Sequence, residues 1–210
     1  MRAKEFVIEN DEVDYTQLIN LIKKNCQPYL EVVSSTGGKP LYRGMNGFTG
    51  NAYKTYAPRP DRKPLDTPAE IHNEFNKAFV THHGYPFRNG IFTTGDRSEA
   101  GRYGSTIAVV LPVGEPKFVW SEDISDLFYL LNHEGDGEYS NVTFGPINPE
   151  QNNGANWKVD ADAIDSIVQD RYRSDDLYEA ISSWNEVILA NECILISQET
   201  YAEIKDALLS

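Results

Sequence analysis

Apolar positions along this chain switch between two periods, and the switches lay out its elements. From Asp14 the stretch DYTQLINLIKKNC puts Leu18, Ile19, Ile22 and Cys26 on one helical face. Asp14 and Gln17 stand as a capping box, and Pro28 predicts that the helix stops before it. Residues 29–33 read as a second short helix or turn, and SSTGGKP as loop. Thr67-Pro68-Ala69-Glu70 predicts a helix start, with Thr67 as N-cap and Pro68 at the first position; Ile71, Phe75, Ala78 and Phe79 share its face up to Gly84. Short runs of strand formers fall at 4–8, 41–44, 91–94, 105–112, 117–120, 186–189 and 193–197. Helices are expected from Ser121 with Ile124, Leu127 and Leu130 inward, at 161–168, at 176–182, and through Tyr201, Ile204 and Leu208. No internal repeat appears. A single domain over 1–210 is expected, with a helical N-terminal segment (1–38), a core (39–197) and a closing helix (198–210).

Composition narrows the class. At 210 residues the chain is long enough to bury about 70% of its unfolded surface without a staple. Cys26 and Cys193 are far apart in sequence, and His72, His82, His83 and His133 show no ligand spacing, so neither a disulfide framework nor a metal site is expected. No signal peptide or membrane span is read, which fits a soluble protein of a reducing cytoplasm. Charge is uneven: residues 1–120 hold 15 basic against 13 acidic side chains, whereas 121–186 hold 3 against 15. That acidic half repels phosphate backbones, so broad nucleic-acid binding is not expected, while a basic protein partner is accommodated.

Candidate chemistry gathers around residues 90–104, GIFTTGDRSEAGRYG. A strand, a glycine turn and a helix capped by Asp96 and Glu99 bring Phe92, Thr93, Thr94 and Tyr103 towards one mouth. Two aromatics beside short hydroxyls suit a flat ligand; both rings also suit an ordinary core. Upstream, PLYRGMNG delivers Arg43 next to Gly44, either as a surface arginine or as an anion-binding arginine beside a glycine that permits close approach. The Pro-rich basic loop 48–66, with Lys54, Arg59, Arg62 and Lys63, reads as cover for a phosphate-bearing ligand or as an exposed loop. Residues 134–156 form a long loop rich in Gly, Asn and Pro. Glu186 opens an apolar strand, where a carboxylate is out of place for packing and well placed for a pocket.

Arg43-Gly44, then Phe92-Thr93-Thr94 with Tyr103 eleven residues after Phe92, then Glu186: this order resembles the ADP-ribosyltransferase superfamily, which transfers ADP-ribose from NAD to an acceptor. The middle piece is similar to the diphtheria-toxin branch, in which two aromatics sandwich the nicotinamide. The resemblance covers roughly residues 40–195, and the small size is similar to transferases carried by tailed bacteriophages, which implies action in a host cytoplasm. It implies an α+β fold of two small, mostly antiparallel sheets packed face to face as a split β-sandwich with peripheral helices. It also implies NAD as co-substrate with no metal, and a macromolecular acceptor, protein foremost.

By the same resemblance Glu186, Arg43 and Thr93 are catalytic, and Arg43, Gly44, Phe92, Thr93, Thr94 and Tyr103 hold NAD. Glu186 would stabilise the oxocarbenium-like ribose, an effect worth about 100- to 1,000-fold in rate. Thr93 would orient Glu186, Arg43 would hold the pyrophosphate or ribose, Gly44 the carboxamide, and Phe92 with Tyr103 the ring. Trp184 would face the acceptor; arginine-modifying members carry Gln or Glu there, which argues against an arginine acceptor. The family's Ser-Thr-Ser is Thr93-Thr94-Gly95 in this chain. Other readings of the same residues are NAD glycohydrolysis, removal of a 2′-phosphate from RNA, which needs several basic residues where only Arg43 is placed, and a non-catalytic acidic binding or inhibitor protein.

Overall fold

A computed structural model describes residues 14–48, 53–64, 67–127 and 160–210. In chain order the elements are α1 (Tyr15–Ser35), β1 (Leu41–Met45), β2 (Lys54–Tyr56), α2 (Ala69–His83), a single 3-10 turn at Phe87–Asn89, β3 (Ile91–Thr94) and α3 (Arg97–Ala100). A second 3-10 turn at Gly101–Tyr103 leads to β4 (Thr106–Pro112), β5 (Phe118–Trp120), α4 (Ala161–Arg171), α5 (Leu177–Ser182), β6 (Glu186–Leu189), β7 (Cys193–Ser197) and α6 (Gln198–Leu209). The class is α+β.

Among the described residues every strand pairing is antiparallel, and seven strands run in the order β2-β7-β4-β1-β3-β6-β5. The strands form one sheet, where two separate sheets were expected. Its continuity rests on a single residue pair, Tyr42 with Thr94, between β1 and β3. On either side the ladders are fuller: β1 and β4 match from Leu41 to Met45, and β3 and β6 match from Ile91 to Thr94. The sheet is therefore pinched between a four-stranded and a three-stranded portion.

Two apolar clusters pack against the sheet, and the first reaches both portions, since it also holds Ile91, Trp120 and Val187. In one, Leu18, Ile22 and Tyr29 of α1 and Tyr201, Ile204 and Leu208 of α6 pack against Val109, Leu111, Ile194 and Ile196. In the other, Phe75 and Phe79 of α2 and Ile164, Ile167 and Val168 of α4 pack against Val119 and Ile188. Both cysteines are buried and unpaired.

Local departures from the sequence reading have physical causes. Helix α1 runs through Pro28 and is kinked at Cys26 (φ −120°, ψ 17°), where a stop was expected; Tyr29, Leu30 and Val33 beyond the kink are buried, and that packing outweighs the bond the proline cannot make. Strand β2 lies inside the stretch read as loop, because its backbone completes β7 through Lys54, Thr55 and Tyr56. Pro68 caps α2 and Thr67 makes no capping bond; its Oγ1 instead accepts from the Arg88 guanidinium (3.3 Å). Ser121 Oγ accepts from the Asp123 and Ile124 amides, but residues 121–126 form bends, where a helix from Ser121 was expected. The strand expected at 4–8 and the loop at 134–156 lie outside the described residues, as does Leu130.

Candidate active site

The pinch between β1 and β3 is where the predicted residues meet. Arg43, third in β1, reaches across it and donates from Nη1 to the Phe92 carbonyl of β3 (2.8 Å). Its guanidinium also lies 5.5 Å from the Tyr56 ring centre, so β2, β1 and β3 are tied at one point. On the far side of β3 the register sets Thr94 opposite Glu186 and Thr93 opposite Val187. Side chains alternate across a strand, so Thr94 and not Thr93 shares the face of Glu186. The expected contact from Thr93 to the Glu186 carboxylate is not made: Thr93 Oγ1 donates to the Val187 carbonyl (2.7 Å) and so secures the strand that carries the acid.

Thr94 has a different task. Its hydroxyl accepts from the Asp96 amide (3.1 Å) and donates to the Trp184 carbonyl (2.7 Å), joining the turn after β3 to the turn before β6. That second turn is strained, since Trp184 sits at φ 67°, a left-handed conformation costly for a bulky side chain. Asn185 holds it down by donating to the Ser121 and Glu122 carbonyls (2.8 and 2.9 Å), and the Glu186 amide donates to the Ser125 carbonyl (2.9 Å). The result is a fixed loop that leaves the Trp184 ring 60% exposed immediately before Glu186.

Gly44 is dictated by packing. A Cβ there would stand 2.1 Å from the Ala100 carbonyl and 2.9 Å from the Gly104 amide, so the end of β1 is closed against the α3 turn. Tyr103 leaves that same turn with its ring 58% exposed and its hydroxyl donating to Asp126.

Glu186 is only partly open to solvent, and its Oε1 is enclosed without a hydrogen-bond partner. Burial pushes its carboxyl up to about 8; Arg88, Arg62 and Arg43 pull it down and Asp126 pushes it further up, and burial wins. Glu186 thus feels the charges of three guanidiniums and of Asp126, the carboxylate that Tyr103 bonds. The buried Tyr172 has its phenol raised by burial and then by the Glu186 charge.

Arg88 and His72 were given no role in the sequence reading, and Arg62 appeared only as one base of a loop. Arg88 belongs to the Phe87–Asn89 turn, is 8% exposed, and stacks 4.9 Å from the Phe92 ring centre. Arg62 stacks at 4.1 Å from the same centre and donates to the Gly90 carbonyl (3.0 Å). Burial first, then repulsion from Arg43 and Arg88, lowers Arg62 to about 10. Behind them His72 Nε2 lies 3.1 Å from both Asn89 Oδ1 and Asn76 Nδ2, and burial followed by the Arg88 charge lowers its pKa. The one sequence signal for this cluster was the density of basic residues in loop 48–66, since Arg88 stands alone between Phe87 and Asn89.

Among the described residues no group of three or more His, Cys, Asp or Glu is placed to hold a metal, and no helix is long and apolar enough to cross a membrane. No protein-family model, curated protein or solved structure matches the chain.

Proposed function

We propose that the protein is an NAD-dependent mono-ADP-ribosyltransferase that modifies a macromolecule, protein foremost, and releases nicotinamide. The observation that carries this reading is the Glu186 carboxyl, enclosed with a partnerless oxygen and under the charges of three guanidiniums and of Asp126. NAD has the matching polarity: an anionic diphosphate and a cationic nicotinamide ring, joined by the ribose whose bond is broken. With the diphosphate towards Arg43, Arg62 and Arg88 and the nicotinamide towards Tyr103 and Asp126, the ribose carbon falls beside Glu186.

Breaking the bond between ribose and nicotinamide sends the bonding electrons to the ring, which leaves neutral, and positive charge develops on the ribose. An ionised Glu186 in this low-dielectric setting stabilises that charge. Thr93 and Thr94 act by fixing β6 and the Trp184 turn, and Trp184 faces the acceptor. The test is to incubate the pure protein with NAD labelled in its ADP-ribose moiety and a bacterial lysate, beside Glu186→Gln. Label on discrete macromolecules with wild type alone supports transfer; nicotinamide release without label makes water the acceptor and the protein a glycohydrolase. Neither product would remove the reading and leave an acidic binding protein.

A second reading is favoured by the arginine cluster. Removal of a 2′-phosphate from RNA needs several basic groups in the pocket, and three are gathered there. An RNA oligonucleotide with one internal 2′-phosphate, incubated with NAD, tests it: loss of the phosphate only when NAD is present supports this acceptor, and an unchanged oligonucleotide rules it out.

A further inference from the structure

Three guanidiniums converge on Phe92 without an anion to match them. Among the described residues none of Arg43, Arg62 and Arg88 forms an ion pair, and the Nε atoms of Arg43 and Arg88 are buried without a hydrogen-bond partner. Burial of unmatched charge is costly, because water no longer solvates it. Cross-strand Glu186 is one carboxyl and supplies at most a single negative charge. The cluster is nevertheless held in place: the Arg59 amide donates to the Asn89 carbonyl (3.1 Å) and the Arg62 amide to the Arg59 carbonyl (3.0 Å), which clips the loop of Arg62 onto the turn of Arg88.

The ring at the centre is already occupied. A guanidinium 4.1 Å from the Phe92 centre takes the stacking distance that a nicotinamide would need, and Arg88 at 4.9 Å covers more of it. We propose that Phe92 is the floor of a diphosphate seat, built by Arg62 and Arg88 packed on its ring and Arg43 bonded to its carbonyl, and not the plate on which nicotinamide stacks. Guanidiniums present their donors in planar forks that fit phosphate oxygens two at a time, and a diphosphate has enough oxygens to engage three of them. Arg62 and Arg88 thereby become binding residues, and the ring of Phe92 acts by orienting them. The inference rests on a phosphate-bearing ligand, as NAD is under the proposed function, and not on transfer.

The experiment is calorimetric titration of the full chain with ADP and, separately, with nicotinamide, using wild type, Phe92→Leu and Arg62→Gln. Arg62 is chosen because it is partly open and its loss leaves the core intact; thermal melts confirm that each variant is folded. Phe92→Leu keeps an apolar side chain and removes the ring, so ADP affinity should fall about 3- to 30-fold with nicotinamide binding unchanged. Arg62→Gln should weaken ADP at least about tenfold. The seat is overturned if wild type does not bind ADP, if Arg62→Gln binds it as wild type does, or if Phe92→Leu spares ADP and weakens nicotinamide. Transfer and seat fail separately: ADP binding that depends on Arg62 in a protein that never cleaves NAD keeps the seat and removes the transferase, and an active transferase with normal ADP affinity in Arg62→Gln does the reverse.

Discussion

Glu186→Gln should make the folded protein more stable at neutral pH and less so, relative to wild type, in acid. The carboxyl ionises near its ordinary value of 4.5 in the unfolded chain but only at about 8 in the folded one. Between those values the folded state holds a proton that the unfolded state has lost, so wild-type stability falls as pH rises through this window and levels off above it. Each pH unit is worth about 1.4 kcal/mol, so by pH 7 the accumulated cost is about 3 kcal/mol, and solvent reaching some of the side chain brings it towards about 2 kcal/mol. A glutamine has no proton to lose and escapes this cost. Urea unfolding of both proteins at pH 4.5, 6, 7 and 8.5, with the denaturant slope checked for constancy, reads the difference directly. Near-equal midpoints are expected at pH 4.5, with a widening gap in favour of Glu186→Gln up to pH 8. Parallel stability curves would show that Glu186 titrates as an ordinary surface acid, and the electrostatic account of the site would be wrong.

Four further outcomes are expected. Single-turnover release of nicotinamide from NAD should rise with pH and level off above about 8, because the ionised form of Glu186 is the active one and its carboxyl stays protonated below that point. Thr94→Val should cost about 1–3 kcal/mol by melting, since the Asp96 amide and the Trp184 carbonyl both lose their partner. Trp184→Gly should relieve the left-handed strain and stabilise the fold by about 1 kcal/mol, while labelling of the acceptor falls and nicotinamide release into water persists. Gly44→Ala should destabilise by about 2 kcal/mol or more, measured by urea unfolding, because a methyl group meets the Ala100 carbonyl at 2.1 Å.

Elements with strong periodicity were legible from the chain alone. The face of Ile71, Phe75, Ala78 and Phe79 is the buried face of α2, and Asp14 and Asp96 each cap the helix that follows them. Ile91–Thr94 and Glu186–Leu189 are strands, and they are neighbours, which sequence order does not show because the pairing spans about ninety positions. Boundaries set by tertiary contacts were not legible: α1 continues through Pro28 because its second half is buried, and β2 exists because β7 needs a partner. The acid and the first arginine were singled out because each is anomalous in its local pattern, and Trp184 only through the family resemblance. Arg88 is not anomalous in sequence, and only the fold of Phe87–Asn89 against β3 turns it inward. The choice between Thr93 and Thr94 depends on strand register, a property of the pair and not of either segment.

The central claim is that Glu186 cleaves NAD at a site whose arginines hold the diphosphate. The most direct measurement is release of nicotinamide from NAD labelled in that ring, by purified wild type, Glu186→Gln and Arg43→Ala, in the presence and absence of lysate. The account predicts release by wild type, a fall of about 100-fold or more in Glu186→Gln with NAD affinity retained, and weakened NAD binding in Arg43→Ala. Release by Glu186→Gln at the wild-type rate would contradict it.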